Sequence, residues 1–161
     1  MLNNTAFLVG SGPCGGRFAY IADVQDSALT GSSQHSAYLF SYSRLNHHYR
    51  AWFTTNRNNE YLQADLGVVR RVEKVATRGN YGGTYWVTSY KFTYSVTGSS
   101  YTFVLKNDNS QRIFAGNSDA NSVVENVFDD AFDARYVRIY PMTWRSNPVI
   151  RWEVYGCETC K

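Results

Sequence analysis

Apolar and polar residues alternate position by position along residues 90–96, with Tyr, Phe, Tyr and Val at the even positions. Residues 136–140 and 149–155 alternate in the same way. Successive side chains of a strand point to opposite faces of a sheet, so this alternation predicts strands with one buried face. In the last segment, Ile150, Trp152 and Val154 share one face, while Arg151 and Glu153 lie on the other.

Shorter stretches with strand character complete the pattern, at residues 61–66, 72–77, 101–105 and 122–128. Clusters of Asn, Gly, Ser and Asp separate the predicted strands, as residues 56–59 and 97–100 illustrate. No segment of about 12 residues has the periodicity of an amphipathic helix. Many short strands with near-regular turns predict one all-β domain, built as a sandwich or barrel.

Composition narrows the function classes. The chain has 161 residues, 43% of them hydrophobic and 16% aromatic, which is typical of one globular domain. Its net charge of +3 comes without a basic run beyond Arg70-Arg71, so nucleic acid is not expected as a partner. The charge fits an ordinary solvated surface, or an acidic partner such as an anionic lipid or a sulfated glycan. No apolar run approaches the roughly 18 residues of a membrane span.

Catalytic motifs are missing from the sequence: we find no Gly-x-Ser-x-Gly, no His-Glu-x-x-His, no phosphate-binding glycine loop and no zinc cysteine cluster. The adjacent His47 and His48 would point to opposite sides of an extended chain, so they are poor joint metal ligands. The sequence therefore predicts a binding protein and not an enzyme.

Motifs in a fixed order give the chain a family resemblance. They include Arg44-Leu45-Asn46 followed by Ala51-Trp52, Tyr61-Leu62-Gln63-Ala64-Asp65-Leu66-Gly67, Val87-Thr88-Ser89-Tyr90-Lys91, and Arg151-Trp152-Glu153-Val154-Tyr155-Gly156-Cys157. Together they resemble the discoidin domain, also called the coagulation factor 5/8 type C domain. The resemblance implies a discoidin-like antiparallel β-sandwich (jelly-roll-like barrel) with ligand-binding loops at one end. It implies a domain over residues 14–157, with an N-terminal extension (1–13) and a C-terminal tail (158–161).

The family pattern also places cysteines at Cys14 and Cys157, which implies a disulfide between them. A disulfide implies an oxidising compartment, and the family is secreted or extracellular at the cell surface. Three reduced thiols in a cytosolic protein are the alternative. Cys160 is left over and is free, pairs with another chain or competes with Cys157 for Cys14.

Scaffold residues account for most of the motifs. We expect Trp52, Trp144 and Trp152 in the core. We expect Asp65, Arg135, Arg138 and Arg151 to pair or form hydrogen bonds, because a buried charge needs a partner. The chain departs from the family at Thr77-Arg78-Gly79-Asn80, where Asn80 replaces an arginine that some members use for ligand contacts. At position 53, Phe53 replaces a Cys found in some members.

The first loop of the predicted ligand end, residues 34–42, carries the consecutive apolar side chains Tyr38, Leu39 and Phe40. Exposed, they would suit a membrane, a sugar face or a protein. The alternative is that one or two of them fold back onto the core.

Two further loops contribute candidates. The Tyr- and Gly-rich second loop, residues 80–86, resembles a recognition loop, and Tyr81 and Tyr85 are its ligand candidates. Trp86 is a ligand candidate or the start of the next strand. Arg145, in a polar turn, would bind a phosphate, sulfate or carboxylate, or lies in an ordinary solvated turn.

Carbohydrate-binding relatives suggest a structural calcium, which by position would involve Asn46 and Glu153. Calcium prefers six to eight oxygen ligands. The sequence thus predicts a non-catalytic adhesion module whose first candidate ligand is a cell-surface glycan. The alternatives are an anionic phospholipid membrane, bound through an apolar spike at Tyr38, Leu39 and Phe40, and an extracellular protein of the collagen or receptor type.

Overall fold

The computed structural model describes residues 18–157. Almost all regular structure in this range is antiparallel strand. The strands are β1 (Phe18–Ala19), β2 (Leu29–Gly31), β3 (Trp52–Phe53), β4 (Leu62–Arg78), β5 (Trp86–Ser95), β6 (Thr102–Phe103), β7 (Phe114–Ala115), β8 (Val124–Arg145) and β9 (Val149–Cys157). Two short 3₁₀ helices, Asp26–Ala28 and Phe40–Ser43, are the only helices of the described range. No helix in this range has the length and apolar character to cross a membrane.

The main path of neighbouring strands runs β1-β9-β4-β8-β5-β6 and does not close on itself. Short strands are added at three places: β2 pairs with β4, β3 with β9 and β7 with β5. The all-β discoidin-like sandwich predicted from the sequence is confirmed, in an open and not a closed form. The predicted boundaries of the extension and the tail lie outside the described residues.

The long strands β4 and β8 run through both layers of the sandwich. The first part of β4 pairs with β2 and with residues 136–139 of β8, and its second part pairs with β9 and with residues 124–134 of β8. The register between β4 and β8 shifts between Asp65 and Arg70, at the corner where the chain passes between layers. Gly67 has a φ of 81° there, a left-handed conformation that favours glycine.

An ion pair stabilises this corner. Arg135 donates from Nε to Asp65 Oδ1 at 2.8 Å and from Nη2 to Asp65 Oδ2 at 3.0 Å. The Gly67 N–H also donates to Asp65 Oδ1, at 2.8 Å. The hydrogen bond from Arg135 holds the pKa of the Asp65 carboxyl below its usual value. The predicted pairing of Asp65 and Arg135 is confirmed.

Aromatic side chains fill the core between the layers. Phe92 of β5 lies with its ring centroid 5.1 Å from Phe128 of β8 and 6.3 Å from Trp152 of β9, so it contacts both layers. Trp52 and Trp152 are fully buried and Trp144 packs against the core, as predicted. Cys157 takes part in a disulfide, but its predicted partner Cys14 lies outside the described residues.

We expect Phe92→Ala to lower the free energy of unfolding by about 3–5 kcal/mol, because a buried ring is replaced by a cavity that contacts both layers. Val96→Ala is the matched control, since Val96 follows the same strand and is 52% exposed. Urea denaturation of both variants measures the difference. Equal losses for the two variants would contradict the placement of Phe92 at the centre of the core.

Candidate functional site

Arg151 links three loops at one end of the sandwich. Its side chain points away from the aromatic core, on the opposite face of β9, and is nevertheless only 2% exposed. The guanidinium donates to the carbonyl oxygens of Gly79 at 2.7 Å, His47 at 2.9 Å and Ala120 at 3.4 Å. Burial lowers the pKa of Arg151 to about 10, so the side chain remains a cation at neutral pH and holds the loops by charge-assisted hydrogen bonds.

The second loop, residues 80–86, closes on itself. The Asn80 N–H donates to the carbonyl oxygen of Tyr85 at 3.0 Å, so the two ends of the loop lie side by side. Tyr81 at the tip is 58% exposed and Tyr85 is 38% exposed. Trp86 begins β5, and the Arg145 guanidinium carbon lies 5.1 Å from its ring centroid. The reading of Trp86 as the start of a strand is therefore confirmed.

The first loop separates its three apolar side chains. Tyr38 packs edge-on against Phe53, with ring centroids 5.5 Å apart. Leu39 is 41% exposed. Phe40 packs against the core and begins a 3₁₀ helix. The three side chains therefore do not form one exposed apolar spike, because only Leu39 projects. Phe40 follows the alternative in which the side chain folds back onto the core.

The turn between β8 and β9 contributes an amide. Ser146 adopts a φ of 62°, and the Asn147 N–H donates to the Arg145 carbonyl oxygen at 2.7 Å. Arg57, from the loop after β3, donates to Asn147 Oδ1 at 3.3 Å and to the Ser146 carbonyl oxygen at 3.4 Å. These contacts fix the Asn147 side chain beside the first two loops.

A cleft of about 170 Å³ opens where these loops meet; we call it the loop-end cleft. Its lining is aromatic and amide in character and comprises Tyr38, Phe53, Asn80, Tyr85, Asn147 and Val149. Of the residues predicted to bind ligand, Tyr38 and Tyr85 lie together in the lining. Leu39, Phe40, Tyr81, Trp86 and Arg145 lie outside the lining, and their roles stay predictions.

Four lining residues were not singled out from the sequence. In the sequence, Asn80 begins the second loop and replaces a family arginine, and Phe53 replaces a Cys of some members. Asn147 belongs to the polar candidate turn whose predicted ligand residue is Arg145, and Val149 belongs to a predicted strand. The departures from the family pattern were the signal that pointed to two of the four.

Two larger cavities lie elsewhere, with volumes of about 410 and 430 Å³. The first contains the ion pair of Arg112 and Asp129, whose atoms are 2.6 Å apart. In the second, Arg70 lies 4.9 Å from the ring centroid of Tyr20. We place the candidate site at the smaller loop-end cleft because two of the predicted ligand residues, Tyr38 and Tyr85, line it and none lines the larger cavities.

Backbone N–H groups already occupy one member of the suggested calcium pair, Glu153. Glu153 Oε1 accepts the N–H groups of Ile21 at 2.5 Å and Val154 at 3.0 Å, and Oε2 accepts the N–H of Ala22 at 2.8 Å. Both oxygens thus face N–H donors, whereas Asn46 is exposed. Among residues 18–157, no group of three or more His, Cys, Asp and Glu side chains could hold a metal. In this geometry Asn46 and Glu153 do not fit a calcium site, and the calcium prediction gains no support.

Comparison with known proteins shows a family match over most of the chain. The model of the F5/8 type C domain matches residues 28–154. Lactadherin of Sus scrofa is 38% identical over 133 residues, covering 79% of this chain and 32% of lactadherin. Neuropilin-1 of Homo sapiens is 34% identical over 142 residues, covering 84% of this chain and 15% of neuropilin-1. The chain therefore spans a third or less of the length of these two relatives.

Solved structures share the fold. Discoidin II from Dictyostelium discoideum superposes with a TM-score of 0.78 at 24% identity, covering 93% of this chain and 61% of that chain. The family 32 carbohydrate-binding module of NanJ from C. perfringens, solved in complex with galactose, superposes with a TM-score of 0.65 at 20% identity, covering 86% of this chain and 98% of that module. At these identities the likeness concerns the fold.

Replacing the buried guanidinium tests its role in holding the loops. We expect Arg151→Lys to lower the free energy of unfolding by about 2–4 kcal/mol, because an ammonium cannot reach three carbonyls with the planar geometry of the guanidinium. Hydrogen exchange should also speed up in residues 78–86. Arg57→Lys, an exposed change at the same end, should alter stability by less than about 0.5 kcal/mol. An unaltered exchange rate in Arg151→Lys would contradict the role.

The buried Glu153 carboxyl predicts a pH dependence of stability. Burial raises the pKa of this carboxyl to about 7, well above its usual range, so the folded state takes up a proton at a higher pH than the unfolded state does. This contribution is complete below the unfolded pKa and is lost as the pH rises through 7. Between pH 5 and 7 we expect unfolding free energy to fall by up to about 1.4 kcal/mol per pH unit. Urea denaturation at a series of pH values measures this slope, and Glu153→Gln should remove it. Identical slopes for the variant and the unaltered protein would contradict the prediction.

Proposed function

This chain belongs to the F5/8 type C domain family of non-catalytic binding modules, and we propose that it is a lectin-like module that binds a cell-surface glycan in the loop-end cleft. The observation that carries the proposal is the lining of this cleft, in which two tyrosine rings and two amides converge from separate loops. The family membership confirms the sequence prediction of a binding module without catalytic activity.

The lining suits the two kinds of surface on a sugar. The rings of Tyr38 and Tyr85 offer flat apolar faces for the C–H groups of a pyranose, and each ring also carries a hydroxyl for hydrogen bonding. The amides of Asn80 and Asn147 both donate and accept, as sugar hydroxyls do. The volume of about 170 Å³ is below the roughly 300–1,000 Å³ of a drug-sized site, which favours one terminal sugar residue over an extended chain.

Two further observations support this reading. The carbohydrate-binding module of NanJ has a similar fold and was solved in complex with galactose. Cys157 takes part in a disulfide, and disulfides persist in oxidising compartments such as the extracellular space. The proposed location is therefore secreted or at the cell surface, where glycans are displayed.

Membrane binding is the second candidate, because Leu39 and Tyr81 are both exposed at the loop end. Peripheral binding to anionic phospholipid through an apolar spike needs several apolar side chains to enter the interface together. The packing of Phe40 against the core leaves Leu39 as the one exposed side chain of the predicted apolar spike, beside tyrosine rings that also carry polar hydroxyls. Glycan binding is therefore the better supported function, and protein adhesion has no comparable observation in its favour.

The glycan proposal is tested on a glycan array, followed by calorimetry on the best ligand. We expect Tyr85→Ala to weaken binding about tenfold or more, because the loss of a packed ring removes on the order of 1–2 kcal/mol. Asn147→Ala should weaken binding to a similar extent through lost hydrogen bonds.

Tyr49→Ala is the matched control, since Tyr49 is 80% exposed at the same end but does not line the cleft. Its affinity should equal that of the unaltered protein. An array without hits, or equal losses in Tyr49→Ala and Tyr85→Ala, would argue against a glycan site in the cleft.

A further inference from the structure

Two arginines contact residues that line the loop-end cleft, and a third lies two positions before the lining residue Asn147. Arg57 contacts the lining residue Asn147, with its Nη2 3.3 Å from Asn147 Oδ1. The Arg50 guanidinium carbon lies 5.7 Å from the ring centroid of Tyr38, another lining residue. Arg145 precedes the turn that carries Asn147. Arg50 and Arg57 come from the loops before and after β3, and Arg145 is the last residue of β8.

The charge of these arginines is not neutralised within the described part of the chain. All three are exposed, and none pairs with a carboxylate of residues 18–157. Other arginines of the same range are ion-paired, for example Arg44 with Asp26 and Arg112 with Asp129. The cleft is thus flanked by arginines without a carboxylate partner, although they lie on the surface like the paired ones.

The nearby carboxylates are already bound by protein groups. Glu60 is 9% exposed and accepts hydrogen bonds from the hydroxyls of Ser32 and Ser33, each at 2.5 Å. Asp119 accepts the N–H groups of residues 121 and 122, at 2.7 and 2.6 Å. Both carboxylates are therefore engaged by protein donors and not by the three arginines, and we expect the field at the mouth of the cleft to be positive.

We propose that the cleft selects acidic glycans, in which a carboxylate or sulfate on the sugar meets Arg57, Arg145 or Arg50 while the uncharged ring lies against Tyr38 and Tyr85. The inference rests on the proposed glycan-binding function and adds the class of ligand. A guanidinium presents paired N–H donors in a plane, which matches the two oxygens of a carboxylate or sulfate. A neutral sugar would leave these donors to water.

The test compares a β-galactoside with its sulfated counterpart, and a neutral oligosaccharide with a uronic acid oligosaccharide of equal length. By calorimetry, the acidic member of each pair should bind about tenfold more tightly at low salt. The advantage should shrink at high salt, since the exposed charges are screened. Arg57→Gln and Arg145→Gln should each weaken the acidic ligand about tenfold more than the neutral one.

Lys106→Gln is the matched control. It removes one positive charge from an exposed residue in the turn after β6, at the other end of β5 from the cleft, and should leave the preference for acidic ligands unchanged.

The outcomes separate the two proposals. Equal affinity for both members of each pair, with no effect of salt or of the arginine variants, overturns the acidic preference but leaves glycan binding intact. No binding of any sugar overturns both proposals. Arginine-dependent binding to phosphatidylserine vesicles, with none to the acidic sugars, overturns the glycan proposal in favour of a membrane.

Discussion

The buried guanidinium of Arg151 is the interaction on which the loop end depends. Taking a cation out of water is unfavourable unless its donors are satisfied, and here the acceptors are backbone carbonyls from three loops. Burial of the charge therefore keeps the three loops ordered, because loops that moved away would leave a buried cation without hydrogen-bond acceptors. As a result the cleft is formed before a ligand arrives, so less conformational entropy is lost on binding.

Alternation along the chain predicted well where the core strands lie. It predicted poorly how far each strand continues. Residues 149–155 were assigned the correct inward face, with Trp152 fully buried. However, β4 and β8 are single strands of 17 and 22 residues, whereas the sequence predicted separate short pieces. The corner at Gly67 bends the chain without ending the ladder, and such a bend breaks the alternation in the sequence. Hydrogen bonding across the bend depends on partner strands far away in sequence.

The site was less predictable than the fold. Tyr38 and Tyr85 were recognised by residue type, yet the sequence could not show that Asn147 and Phe53 would lie beside them. Their proximity depends on the contacts of Arg57 with Asn147 and of Arg151 with backbone carbonyls, which join residues far apart in the sequence. Likewise, the run Tyr38-Leu39-Phe40 is equally apolar at each position. Only the 3₁₀ helix that begins at Phe40 separates the partly buried ring, which packs against the core, from the exposed leucine.

The passage of β4 and β8 through both layers has a consequence for how the protein folds. Neither layer can be completed alone, because each shares the same two strands with the other, so the domain should unfold as one cooperative unit without a half-folded intermediate. Most strand pairs join distant parts of the chain, which makes folding slow compared with helical domains of similar size. Because the two layers share β4 and β8, local unfolding of one layer cannot detach the loop end from the scaffold.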